Sequence, residues 1–410
     1  MIESTTLDNG LKVVVAHRPG QVVYCGLAID AGTRDQRSEE SGMAHFIEHM
    51  SFKGTRRRRS FHIINRMESV GGDLNAYTGK EHTVYYCSTL RQHLSRALDL
   101  LFDITLQSTY PQQEIEREVE VVVDEIESYN DSPSELIYDD FEALLFQGHP
   151  LGYNILGEAE RLRQYQTADL QRFVNRLYHL NRMVLFVYGD ITLREVVRKI
   201  KIETSDLPSY SFQDDRCSPD SSLVSPYSSL VEVKKQTHQA HVIVGCPTYP
   251  MGDSRYMGLY LLNNILGGPG MNSRLNVSLR ERRGLVYTVE SGLTGYTDTS
   301  VWTTYFGCDH ADVKRCLRLV DGELSRLLDA PLSDSQLAAA KRQLQGQAAL
   351  SWENGENVAI GMGRRMLHLD QTQTLEQFCQ QIDALSSQQL WDIARETFDP
   401  KRLITLVYTQ

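Results

Sequence analysis

No stretch of this 410-residue chain approaches the roughly 18 consecutive apolar residues that a membrane-spanning helix needs, so no membrane span is expected. Cysteine is sparse. The seven residues, at 25, 87, 217, 246, 308, 316 and 379, include no C-x-x-C pair. An odd, scattered set of this kind reads as reduced thiols in a cytoplasmic protein. Basic residues are outnumbered, 42 Lys and Arg against 53 Asp and Glu, for a net charge of −11. A chain short of positive charge makes a poor nucleic-acid binder, because phosphate contacts need a basic face, and it weakly favours cationic partners. The first six residues, Met1 to Thr6, have neither a basic nor an apolar region, so no secretory signal is expected. With 41% apolar and 23% charged residues, disorder and fibrous repeats are excluded. The length suggests two to three domains with sizeable cores.

The pattern along the chain points to α+β layers. Leu11 to Ala16 and Val22 to Ile29 read as strands on either side of a Pro19-Gly20 turn. Helices are expected over Ser41 to Phe52 and over Phe61 to Val70, the latter capped by Ser60 and stopped by Gly71-Gly72. Leu74 to Leu90 is strand-like. Helices follow at Leu90 to Leu106, Pro111 to Tyr129, Ser134 to Phe146 and Ala168 to His179, before a buried strand at Met183 to Tyr188. Residues 204–229, rich in Ser, Pro and Asp, read as a linker. The order then restarts: strand at Leu230 to Val244, helices at Arg255 to Leu266 and Ser273 to Arg283, strands over Val286 to Phe306, long helices at Ala311 to Leu328 and Ser333 to Leu350, and a closing strand at Leu403 to Tyr408. Shifted by roughly 215 residues, one half overlies the other, as an internal duplication would. The expectation is two homologous halves, 1–203 and 230–410, each a mainly antiparallel sheet with helices packed on it.

The sharpest feature is His45-Phe46-Ile47-Glu48-His49. Residues four apart on a helix share a face, so His45 and His49 can aim both imidazoles at one point. That arrangement suits Zn²⁺, which binds His nitrogens at about 2.0–2.1 Å in tetrahedral sites. Glu48 stands beside the same point, placed to take a proton from water. Phe46 and Ile47 should face the core. A third ligand is sought on the helix Pro111 to Tyr129, which carries Glu114, Glu116, Glu118, Glu120, Asp124, Glu125 and Glu127 among Val119, Val121, Val122 and Val123. The valines imply a helix at least half buried. Glu118 and Glu125 lie two turns apart on one face, and a carboxylate on a buried face needs a partner such as a metal.

H-x-x-E-H is the inverted zinc motif of the pitrilysin family of metallopeptidases, which this chain resembles. The resemblance extends to Thr6-Leu7-Asp8-Asn9-Gly10-Leu11, to Gly42-Met43-Ala44, to Phe52-Lys53-Gly54-Thr55, and to the run from Gly71-Gly72 through Asn75-Ala76-Tyr77-Thr78. It implies Glu125 as the third zinc ligand and Glu118 as the acidic residue that supports the site. It also implies Asn75 and Ala76 as part of a substrate-side edge strand. Length and layout look most like the branch containing the mitochondrial processing peptidase and its bacterial relatives.

The second half carries Leu261-Leu262-Asn263-Asn264-Ile265 where the offset would place the motif, so it is expected to be silent alone. Its Arg280 and Tyr287 resemble the family's Arg-and-Tyr pair, suited to stabilising an oxyanion on a scissile carbonyl. Gly267 to Gly270 resembles a glycine-rich loop near the substrate, and Arg56 to Arg59 reads as a solvated loop. The expectation is a zinc endopeptidase acting on peptides or unfolded segments, as a homodimer whose sites are completed in trans. A non-catalytic, peptide-binding subunit of the same fold is the alternative.

Overall fold

The computed structural model describes residues 2–204 and 230–410; the rest of the expected linker, 205–229, lies outside them. The strands are β1 (Ile2–Thr6), β2 (Lys12–His17), β3 (Val22–Ile29), β4 (Asp73–Thr78), β5 (Thr83–Leu90), β6 (Met183–Gly189), β7 (Leu230–Lys234), β8 (Ala240–Thr248), β9 (Val286–Gly295), β10 (Ser300–Cys308) and β11 (Ile404–Thr409). The first eight helices are α1 (Met43–Ser51), α2 (Ser60–Glu68), α3 (Leu94–Leu106), α4 (Gln112–Asn130), α5 (Pro133–Leu145), α6 (Ala159–Leu162), α7 (Thr167–Leu177) and α8 (Leu193–Thr204). Six more follow: α9 (Tyr256–Gly267), α10 (Val313–Asp329), α11 (Asp334–Trp352), α12 (Gly355–Leu369), α13 (Leu375–Asp383) and α14 (Ser387–Thr397).

Among the described residues, two compact units draw on interleaved stretches of chain: 2–128, 149–204 and 351–374 for the first, 129–148, 230–350 and 375–410 for the second. They are therefore not coextensive with the sequence halves 1–203 and 230–410. The first unit is built on a six-stranded sheet in the order β1-β2-β6-β3-β5-β4. Only β2 and β6 run parallel. The apolar run of β6 is buried on both faces because the strand sits in mid-sheet, which is why it lacks alternation. On one face α12 covers β3 and β6. Gly363 permits that approach, since a Cβ there would lie 2.3 Å from the Phe186 ring.

The second unit holds a five-stranded sheet in the order β7-β11-β8-β10-β9, with β7 and β11 parallel and the other pairs antiparallel. Strand for strand, this repeats β2-β6-β3-β5-β4, including the place of the one parallel pair. Every residue of β10 is buried. Its Trp302 donates from Nε1 to Asn263 Oδ1 at 3.1 Å and packs on Phe398. Helix α5 packs on β8 and β11.

Several sequence expectations change in detail. Leu74 to Leu90 and Val286 to Phe306 are each a hairpin, broken at 79–82 and 296–299. Ser60 opens α2 and does not cap it; Arg59 stands at the cap without a side-chain bond. Ser273 to Arg283 contains a π-helical turn, Asn276–Glu281. The strand β1 carries no apolar alternation to mark it in the sequence; it lies on the sheet edge, paired to β2, with Ile2 packed against the core. Arg58 is not solvated, because it pairs with the buried carboxylates of Asp99 and Asp103. Six cysteines in the described residues carry free thiols. No helix among the described residues is long and apolar enough to cross a membrane.

Candidate active site

Helix α1 is buried along almost its whole length, with Met43, Ala44, Phe46, Ile47 and Met50 in the core. It starts at Gly42, whose φ is +77° and where a Cβ would lie 2.6 Å from the Leu156 carbonyl oxygen. No other residue meets both demands without strain. Within this apolar helix, His45, Glu48 and His49 are the ionisable exceptions, and the two imidazole centroids are 4.6 Å apart.

Helix α4 supplies the carboxylates. Ile115, Glu118, Val119, Val122 and Val123 form its buried face, whereas Val121 is exposed. Glu125, two turns beyond Glu118, keeps its carboxylate partly open to solvent. Its Oε1 is 3.9 Å from His45 Nε2 and its Oε2 is 3.5 Å from His49 Nε2. One donor atom from each of His45, His49 and Glu125 lies within 4.8 Å of the others. Ligands about 2.1 Å from a tetrahedral ion stand roughly 3.4 Å apart, so these three donors have a metal-binding spacing. Two nitrogens and one carboxylate oxygen suit zinc better than calcium or magnesium, which take oxygen shells.

Electrostatics fit the same use. Burial, and then the charge of His49, push the His45 pKa down to about 3, so this imidazole is neutral and has a lone pair to give. Its Nδ1 is buried without a hydrogen-bond partner. Burial also pulls on His49, but the bond to Glu118 and the carboxylates of Glu48 and Glu125 outweigh it, and the net shift is upward. His49 Nδ1 is 3.0 Å from Glu118 Oε1, and Lys53 Nζ is 2.5 Å from Glu118 Oε2. Burial would raise the Glu118 pKa, yet the bonds from His49 and Lys53 hold it below the usual range. Burial raises the Glu48 pKa, against a bond from Thr78 Oγ1 to Glu48 Oε2 at 2.6 Å.

Thr78 ends β4, the outermost strand of the first sheet, which packs beside α1. Asn75 and Ala76 lie on that strand, exposed and half-buried respectively. Thr78 and Lys53 lie in the runs Asn75-Ala76-Tyr77-Thr78 and Phe52-Lys53-Gly54-Thr55, where nothing in the spacing gives them a role. Arg280 and Tyr287 lie in the second unit, on the π-helical turn and on β9. The Arg280 guanidinium carbon is 5.9 Å from the Tyr287 ring centroid, and Tyr287 is 85% exposed. Gly267 is the last residue of α9, where an added Cβ would meet Ser291 Oγ at 2.4 Å, and Gly268 to Gly270 follow it. Asn263 and Asn264 of α9 are buried and offer no imidazole.

Two buried neutral histidines set a pH dependence of stability. His82, beside Arg364 and His368, is pushed well below its ordinary value by burial first and by those neighbours second. In the unfolded chain both His45 and His82 take up a proton below about pH 6.5. Unfolding then binds protons, so their stabilisation is complete above that pH and lost as pH falls, for His45 down towards 3. Each contributes at most about 1.4 kcal/mol per pH unit, and His49, shifted upward, opposes them. The urea midpoint of zinc-free protein should therefore fall between about pH 7.5 and about pH 5.5. A midpoint that stays flat or rises contradicts the burial of neutral imidazoles.

An inverted zinc motif on a buried helix, repeated sheets and a carboxylate at ligand spacing define a metallopeptidase scaffold of two related parts. The chain belongs to peptidase family M16: residues 12–159 match the family model described as insulinase (peptidase family M16), and residues 165–344 match the M16 inactive domain. It is 30% identical to the uncharacterized zinc protease YmxG of Bacillus subtilis, over 99% of this chain and 98% of that one. It is also 30% identical to the beta subunit of the mitochondrial-processing peptidase of Rattus norvegicus, over 95% of this chain and 80% of that one. Among solved structures, a protease from Helicobacter pylori superposes with a TM-score of 0.90 at 22% identity, covering 100% of this chain and 99% of the other. A peptidase M16 inactive domain from Pseudomonas fluorescens gives 0.90 at 20% identity, over 100% and 97%. These two likenesses speak for the fold.

Proposed function

We propose that this chain is a zinc-dependent endopeptidase cutting peptides or unfolded segments, with Zn²⁺ held by His45, His49 and Glu125. The observation that carries the reading is the convergence of those three donor sets within 4.8 Å beside the Glu48 carboxylate. Bound there, the metal supplies a Lewis acid that lowers the pKa of water and polarises a carbonyl. Glu48 is the base: it accepts a proton from the water that attacks the scissile carbonyl and returns it to the departing amine. In the metal-free site burial raises the Glu48 pKa, and a dication held beside it would oppose that shift. Thr78 keeps one of its oxygens fixed.

An extended substrate adds to the open edge of β4 near Asn75 and Ala76 by main-chain pairing. Arg280 and Tyr287 contact the substrate and stabilise negative charge on the carbonyl oxygen. One chain carries both the zinc residues and this pair, so a homodimer can complete two equivalent sites in trans. The high exposure of Tyr287 supports a residue that serves a neighbouring molecule. The halves 1–203 and 230–410 are read as the catalytic half and its homologous non-zinc partner, joined by 204–229.

Metal analysis tests the ligand set. Wild-type protein should hold about one zinc per chain, and a chelator should abolish cleavage of a peptide library. Glu125→Gln should lose zinc, because a neutral amide is a poor substitute for a carboxylate ligand. Glu118→Gln should keep it with ~10–100-fold weaker affinity, the cost of losing a group that orients a ligand. The reverse ranking of these two variants overturns the assignment. Zinc bound without any cleavage favours a non-catalytic subunit.

A further inference from the structure

Glu118 is buried, and both of its oxygens are committed. One faces His49 Nδ1 at 3.0 Å and the other takes Lys53 Nζ at 2.5 Å. Lys53 follows α1 directly; its backbone N–H donates to Met50 O, which continues the helical path past the last turn. It stands four residues after His49, so both side chains leave the same face and close on one carboxylate carried by α4. Among the described residues Lys53 is the sole Lys or Arg within ion-pair distance of Glu118. A buried carboxylate held by one imidazole N–H alone is undercompensated. It is also free to rotate about its terminal bond, because a single contact fixes one oxygen and leaves the other to seek water.

We propose that Lys53 is a positioning residue for the metal centre: by gripping the outer oxygen of Glu118 it holds the inner oxygen on His49 Nδ1, and so aims His49 Nε2 at the metal. The inference rests on the reading of His45, His49 and Glu125 as zinc ligands. An acceptor for Nδ1–H fixes the ring plane and tautomer and leaves the Nε2 lone pair for coordination, and the stiffness of that acceptor is set by whatever holds it in turn. Lys53 pairs with Glu118, and its side chain is 27% exposed, which leaves room for substitution without cavity formation.

The test is a double-mutant cycle on zinc affinity, measured on the full-length chain stripped of metal and titrated with Zn²⁺ against a competing chelator. Lys53→Met should weaken zinc binding about ten-fold, at the low end of the range for groups that orient a ligand. Lys53→Arg, which restores a cation, should recover most of that loss. In a Glu118→Gln background Lys53→Met should change nothing further, because the oxygen it grips has lost its charge. That non-additivity is a result no general loss of stability produces, and thermal unfolding of the metal-free variants provides the control. If wild-type chain binds zinc and Lys53→Met leaves its affinity unchanged, or the two substitutions add in full, the positioning role is overturned while the ligand assignment stands. If wild-type affinity is indifferent to His49→Ala, the ligand assignment falls and this inference falls with it.

Discussion

Glu48→Gln should leave zinc bound and peptide turnover nearly abolished. The substitution keeps side-chain volume in a site where Glu48 is buried, so the packing of α1 is preserved. Thr78 Oγ1 can donate to an amide oxygen as it does to the carboxylate. What disappears is the group able to accept a proton from the attacking water. General-base catalysis is worth ~10²–10⁴-fold, which corresponds to about 2.7–5.5 kcal/mol of barrier. In the proposed mechanism the same group also returns that proton to the amine, so the loss should fall at or beyond the upper end. Single-turnover cleavage of a quenched peptide, with zinc content determined on the same preparation, measures it. Near wild-type cleavage by Glu48→Gln removes Glu48 from the mechanism, and loss of zinc along with activity shows that the variant reports on the site's integrity.

The parts of the site that were legible in the sequence are those whose chemistry depends on helical spacing. His45, Glu48 and His49 need only a single helix to come together, and α1 forms because Phe46, Ile47 and Met50 give it an apolar body to bury. Glu118 and Glu125 lie two turns apart on one helix, so their shared direction followed from the 3.6-residue period. Which carboxylate reaches which atom was not legible. Glu125 approaches both Nε2 atoms, whereas Glu118 meets His49 Nδ1, and that difference is set by how α4 crosses α1. Choosing between them at the sequence level took the family resemblance.

What stayed hidden is tertiary. Thr78 reaches Glu48 from a strand, thirty positions along, through a rotamer that no local pattern encodes. The packing of α12 on β3 and β6 depends on Gly363 meeting Phe186 across 177 residues of sequence, a contact between residues that each look ordinary. Because α12 and α5 cover sheets remote from their own stretches of chain, compact units and sequence halves do not coincide. The repeated order of elements along the chain was nevertheless visible, since the succession of strand and helix runs survives in the sequence even where identity does not; the order of strands within each sheet was not.

Mixing two inactive variants should restore cleavage. Under the trans arrangement each zinc site takes Arg280 and Tyr287 from the neighbouring chain. Glu48→Gln homodimers lack a base at both sites, and Tyr287→Phe homodimers lack the phenol hydroxyl at both. A mixed dimer places both defects in one site and leaves the other intact. Co-refolding the two variants in equal amounts, then isolating heterodimers through different affinity tags, should give about half the wild-type activity per dimer, since two-fold symmetry makes the two wild-type sites equivalent. Tyr287 suits the experiment because its ring is 85% exposed, so removing one hydroxyl disturbs no core packing. The loss in Tyr287→Phe alone should be ~10²–10³-fold, as for other donors to a developing oxyanion. Purified heterodimers that remain as inactive as the parents place Arg280 and Tyr287 within their own chain's site or outside the chemistry. A fully active monomer in sedimentation at assay concentration excludes the trans site outright.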